Sequence, residues 1–176
     1  MAPFDADADL SEDVAFRLAQ NTFVTLFWRP EVLARTLAWL AGHGYHVVHL
    51  DAAHWDTEAD LHRDFARALD FPDYYGANLD ALNDCLRDVA DHRYGWPAGA
   101  TGLVLALNRY DHFAAGHPRP AQDVLDIVAD RARAASLFGR RMLGLVQSAD
   151  PDIRFDPVGA MPVRWNDAEW LDARRR

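Results

Sequence analysis

Apolar residues change their spacing several times along the chain, and each change marks an element. Residues 22–28, TFVTLFW, are β-branched and aromatic and predict a strand. Pro30 suits the first position of a helix. Leu33, Leu37 and Leu40 follow at helical spacing, and Gly42 and Gly44 stop the run. Residues 45–50, YHVVHL, predict a second strand. Strand, helix and strand with short links form a βαβ unit, whose strands run parallel.

Thr57 is placed to cap the next helix, with Asp60 three residues on as in a capping box. Leu61, Phe65, Ala68 and Leu69 form its buried stripe, and Pro72 ends it. Gly76 is expected to take a positive φ in the turn that follows. Asn78 is expected to cap a helix over roughly residues 79–90. The glycines and proline of DHRYGWPAGA (91–100) mark a loop, and the continuous apolar run GLVLAL (102–107) marks a strand covered on both faces. A second loop is expected around 108–119, where Gly116, Pro118 and Pro120 cluster. Then come a helix over about 121–137, closed by Gly139, and a buried strand at 141–147. A short strand at Met161–Trp165 and a helix capped by Asn166, with Glu169 three residues later, complete the pattern. Residues 1–20 read as an acidic N-terminal segment, flexible over 1–10 with a short helix over 11–20. Residues 21–176 read as one α/β domain with a mainly parallel sheet flanked by helices.

Composition changes this picture little. Half of the 176 residues are hydrophobic, enough for a sizeable core. No apolar run approaches the ~20 residues that span a bilayer. The start, MAPFDADADL, lacks the basic and apolar regions of a signal peptide, so a cytoplasmic protein is expected. A single cysteine forms no internal disulfide and offers no zinc cluster.

Charge changes it more. The net charge of −9 argues against a nucleic-acid binder, because affinity for phosphate needs a basic surface. Residues 51–91 hold eleven acids against three arginines, a net −8 of the chain's −9. The centre of that region is FPDYYGANLDALNDCL (71–86). At 100° per residue, Leu79, Leu82, Leu86 and Val89 fall on one side of the helix as a core stripe. Asp80, Asn83, Asp84, Arg87 and Asp91 cluster on the other. Asp80 gains from the helix dipole in the first turn. Asp84 does not, and the two repel at the i,i+4 spacing by a few tenths of a kcal/mol. Arg87 offers Asp84 a partial i,i+3 partner. The face is either an ordinary solvated surface or one awaiting a cationic partner. Tyr74 and Tyr75 beside it favour the second, because tyrosine is enriched at interface anchors.

The same run resembles the signature of the barstar family, intracellular inhibitors of bacterial ribonucleases. That pattern reads Leu-Pro-acid-Tyr-Tyr-Gly-x-Asn-Leu-Asp-Ala-Leu-x-Asp-Cys-Leu. Pro72, Asp73, Tyr74, Tyr75, Gly76, Asn78, Leu79, Asp80, Ala81, Leu82, Asp84, Cys85 and Leu86 conform to it. The order of elements agrees over about residues 45–147. The resemblance implies a small parallel sheet flanked by helices. It also implies a non-catalytic inhibitor or immunity protein, binding one-to-one to a secreted or toxin ribonuclease of barnase-like type. Such a protein needs no cofactor and no metal, and is expected to be a monomer when free. Carried over by position, the contacts are Tyr74, Gly76, Asn78, Asp80, Ala81 and Asp84. Asp84 is the key carboxylate, standing in for a substrate phosphate, and Asp130 is a supporting acid on a later helix. Asn83 stands where the pattern has a bulky aromatic, and Arg87 where it is small and polar; both belong to the partner-facing surface. The alternative is an interaction module of the same fold whose partner is not a nuclease.

Other constellations carry less. Cys85 lies beside the core stripe with no activating base in the sequence. His46 and His49 point to opposite faces of a strand, which makes joint ligation of a metal awkward. Asp80 and Asp84, exposed on a helix, are poorly placed to act as an acid–base pair. Trp96, in a Tyr-Gly-Trp-Pro loop, is the tryptophan best placed for an extra contact.

Overall fold

A computed structural model describes residues 13–171. The expected acidic tail at 1–10 and the terminal arginines Arg174–Arg176 lie outside the described residues. The N-terminal segment holds helix α1 (Val14–Asn21), capped by Asp13, whose carboxylate accepts from the Phe16 N–H. Strand β1 (Val24–Phe27), helix α2 (Pro30–Gly42) and strand β2 (Tyr45–Asp51) follow as the sequence pattern requires. After a short 3₁₀ turn at Ala52–His54 come α3 (Glu58–Ala68) and α4 (Leu79–Ala90). The capping box of Thr57 and Asp60 is present at the start of α3. Strand β3 (Gly102–Asn108), helices α5 (Tyr110–Gly116) and α6 (Pro118–Ser136), and strands β4 (Met142–Gln147) and β5 (Arg164–Trp165) complete the order.

The five strands form one sheet in the order β2-β3-β4-β1-β5, and every ladder in it is parallel. Side chains alternate between its two faces. Leu103, Leu105 and Leu107 of β3 point to the face covered by α3, α4 and α6, where Phe65, Leu82, Leu86, Val124 and Val128 are buried. Val104, Ala106, Leu143 and Leu145 point to the opposite face, against Ala15 of α1 and Val32, Leu33, Leu37 and Leu40 of α2. Each such aliphatic side chain contributes about 1.5–3 kcal/mol on burial. Gly144 lets α6 approach the sheet, since a Cβ there would stand 3.0 Å from Val128 Cγ1.

The segment at 45–147 supplies β2, β3 and β4 with α3 to α6 on one face. The residues before and after it add β1 and β5 to the sheet, and α1 and α2 to the second face. The C-terminal segment also ties itself to the start of α2. Glu169 is buried, and its carboxylate accepts from the Trp28 N–H (2.8 Å), the Arg29 N–H (2.9 Å) and the Arg29 guanidinium (3.0 Å). Asn166 Nδ2 donates to it as well. Burial alone would raise this carboxyl, but the amides of Trp28 and Arg29, Asn166 and the Arg29 guanidinium outweigh it and hold the group below the usual range. Nearby, Gln147 accepts from the Arg109 N–H at 3.0 Å and donates to the Trp28 carbonyl at 3.1 Å.

Two expectations are corrected. The stretch 108–119 is largely helical, because Pro118 and Pro120 fall in the first turn of α6, where a missing N–H costs nothing. Asn166 opens a single turn rather than a helix among the described residues. Its N–H donates to Leu26 in β1, and Glu169 serves the start of α2 instead of capping its own helix.

Candidate functional site

The turn at residues 70–78 delivers the chain to α4. Tyr75 N–H donates to the Pro72 carbonyl at 2.9 Å. Asp70 and Ala77 are left-handed, at φ 52° and 47°, and Gly76 is not, as the sequence had suggested it would be. A Cβ at Gly76 would lie 3.3 Å from Asn78 Nδ2, a tight contact, and 3.5 Å from Ala81 Cβ, an ordinary one. Asn78 caps the helix, its Oδ1 accepting from the Ala81 N–H at 2.8 Å. That bond commits Asn78 to holding the helix start, while the residue itself stays exposed.

The adjacent tyrosines divide their roles. Tyr75 turns inward, its hydroxyl 2.5 Å from Nδ1 of the buried His62 and its ring edge-on to Phe71 at 4.9 Å. Burial lowers the His62 pKa and raises that of Tyr75, which favours the neutral form of both. Tyr74 turns outward and is 79% exposed. The far end of α4 is held by the loop after it. Tyr94 donates to the Cys85 carbonyl at 3.2 Å, and the Trp96 indole donates to the Val89 carbonyl at 2.8 Å. Trp96 thus shares a carbonyl of the helix end with the His92 N–H, which also donates to it at 2.9 Å.

With Leu82, Cys85, Leu86 and Val89 buried, the opposite face is fixed. Asp80, Asp84, Arg87 and Asp91 are exposed along it, and Ala81 and Asn83 are half-buried at its flanks. Asp84 lies 3.2 Å from Arg87, but both side chains are more than half exposed. Such a pair contributes roughly 0.3–0.5 kcal/mol and yields readily to a better partner. Asp88 is met by Arg93 at 3.2 Å and Asp91 by Arg140 at 2.9 Å. Asp130 is on the later helix, α6, as expected, and that helix packs against α4. Asp130 is paired with Arg131 and with Arg133 at 2.7 Å. Burial works to raise its carboxyl, but the two guanidinium groups prevail and hold it low.

Arg140 was not singled out by the sequence. Its guanidinium also reaches the Ala90 carbonyl at 3.2 Å, closing α4 from the turn after α6. No local pattern signals this role, because the carbonyl it meets lies 50 residues earlier in the chain. Among the described residues, no three His, Cys, Asp or Glu side chains gather to hold a metal. No helix there is long and apolar enough to cross a membrane.

The family model described as "Barstar (barnase inhibitor)" matches residues 45–147, more than half of the chain. The chain belongs to the barstar family. A protein of Bacillus subtilis (strain 168), named "Putative ribonuclease inhibitor YrdF", is 37% identical over 81 residues, covering 46% of this chain and 79% of that protein. The match spans β2 to β4 and includes α4 whole. Members of the barstar family are inhibitors rather than enzymes, and the family implies a ribonuclease as the bound partner. The β1, α1, α2 and β5 additions of this barstar-family chain lie outside the matched range and cover the opposite face and far edge of the sheet.

Proposed function

We propose that this barstar-family chain is a non-catalytic cytoplasmic inhibitor, an immunity protein or antitoxin, that plugs the cationic cleft of a small barnase-type ribonuclease one-to-one. The carrying observation is the exposed face of α4: two carboxylates, Asp80 and Asp84, on a helix held rigid from behind, with exposed Tyr74 beside them. A ribonuclease cleft is cationic because it binds phosphate. Fixed carboxylates complement it, speed encounter by long-range attraction, and bond strongly to arginine forks once water is excluded. Asp84 is the central group, and Gly76, Asn78, Ala81, Asn83 and Arg87 frame it.

The test is titration of a barnase-type ribonuclease with the purified protein. Activity is expected to vanish at one equivalent, with association slowing as salt rises. Asp84→Ala is expected to weaken binding more than any other single change on the face. Tight binding by that variant would remove the site assignment. Capture of a protein without any loss of nuclease activity would make the chain an interaction module with a different partner.

A further inference from the structure

Large hydrophobic side chains stand exposed at only a few places among the described residues: Tyr74, Leu137, Phe138, Trp170 and Leu171. The last two end the described chain. The other three lie at the two ends of the α4 face. Tyr74 precedes its N-terminal end. Leu137 and Phe138, 80% and 73% exposed, occupy the turn after α6.

Contacts join that turn to the acidic stripe. Asp80, Asp84, Arg87 and Asp91 follow one line along the helix. Asp91 is held by Arg140 at 2.9 Å, and the Arg140 guanidinium carbon lies 5.9 Å from the centre of the Phe138 ring. Arg140 therefore links Phe138 to the last carboxylate of the stripe. The turn is also fixed in place. Phe138 N–H donates to Ala135 at 3.0 Å, Gly139 N–H to Ser136 at 3.0 Å and Arg140 N–H to Ala135 at 3.1 Å, with Gly139 left-handed at φ 72°. This wrapped helix end commonly tucks a following apolar side chain against the helix. Here two apolar side chains on a pinned backbone project into water, so little ordering is needed for them to bind.

We propose that the docking surface for the ribonuclease runs on from α4 onto this turn, with Leu137 and Phe138 as a second, apolar anchor opposite Tyr74. The proposal rests on the reading of the α4 face given above. The dimensions agree with one partner. Asp80 and Asp91 are about 16 Å apart along the helix at 1.5 Å per residue. The stripe with an anchor at each end matches one side of a standard interface, about 800 Å² or roughly 30 Å across. A charged centre steers the encounter, and apolar anchors then slow dissociation.

Leu137→Ser with Phe138→Ser, combined in one variant, is compared with wild type and Asp84→Ala for binding to a barnase-type ribonuclease, with sedimentation and thermal melting alongside. The double variant is expected to melt like wild type and dissociate roughly tenfold faster, with the salt dependence of association unchanged. Dissociation within twofold of wild type, while Asp84→Ala binds poorly, would overturn the second anchor and leave the α4 site standing. No binding by wild type, or full binding by Asp84→Ala, would overturn the α4 reading and this extension with it. A wild-type dimer that the double variant dissolves, without change in nuclease binding, would show the patch to be a contact between copies and would also overturn the proposal.

Discussion

Asp84 and Glu169 are both carboxylates in an acidic protein, and the structure treats them oppositely. Glu169 has no exposure and takes hydrogen bonds from two backbone amides, an asparagine amide and a guanidinium. Asp84 is 64% exposed and has one ion pair, to an arginine about as exposed as itself. The contrast separates charge that holds the fold from charge that the fold leaves open to solvent. A carboxylate whose lone pairs are filled internally is structural, and removing it leaves buried donors bare. A carboxylate with open lone pairs on a rigid surface costs little to remove from the folded chain and much to remove from a complex.

Reciprocal substitutions would break that contrast most sharply. Glu169→Ala is expected to cost about 2–3 kcal/mol in urea unfolding, since it strands the Trp28 and Arg29 amides. Asp84→Ala should change folding stability by less than about 0.5 kcal/mol while weakening ribonuclease binding by about 2 kcal/mol or more. Equal effects of the two on unfolding would erase the distinction. Acid sharpens it. The folded-state pKa of Glu169 is depressed, so its stabilisation is present above the ordinary Glu range, about pH 4.3, and is lost as pH falls through the lower folded value. Unfolding followed from pH 7 downward should show that loss in wild type and not in Glu169→Gln.

A smaller effect is expected at Tyr75→Phe. It takes the hydroxyl from the buried His62 Nδ1 and should cost about 1–2 kcal/mol of stability, with any change in binding following from a looser turn. Arg87→Ala should be smallest, a few tenths of a kcal/mol in stability. It should also quicken association with a cationic nuclease at low salt, because Asp84 loses its competing partner. Slower association would mean that Arg87 itself meets the partner.

Much of this was legible in the chain. The apolar periods of β1 to β4 and α2 to α4 appear where the spacing puts them, because burial on both faces of a parallel sheet leaves little choice at Leu103–Leu107. The Thr57 and Asn78 caps were legible because capping is local chemistry. The 108–119 segment was not, since Pro118 and Pro120 punctuate a loop and a helix start alike. The turn geometry also escaped: Asp70 and Ala77, not the glycine, are left-handed, in a turn closed by the Tyr75 N–H on Pro72. Glu169 was read as a local cap, while its partners lie some 140 residues away in sequence, a distance no local pattern reports. At the site, helical spacing alone separated the stripe of Asp80 and Asp84 from the leucines. The Arg140 bridge that carries the face toward Phe138 depends on tertiary packing and left no such trace.

Glu169 and Gln147 have one more consequence. In open parallel sheets, small ligands lodge beyond the carboxyl ends of the strands, where neighbouring connections part to opposite faces. Here that place is the boundary of β1 and β4: β1 leads to α2 on one face, and β4 leads to a segment whose Ile153 and Phe155 pack on the other. Glu169 occupies the anion position before α2, and Gln147 spans the gap between Trp28 and Arg109. The chain is the tenant of its own crevice, which leaves the flank of α4 as the place for the recognition proposed above.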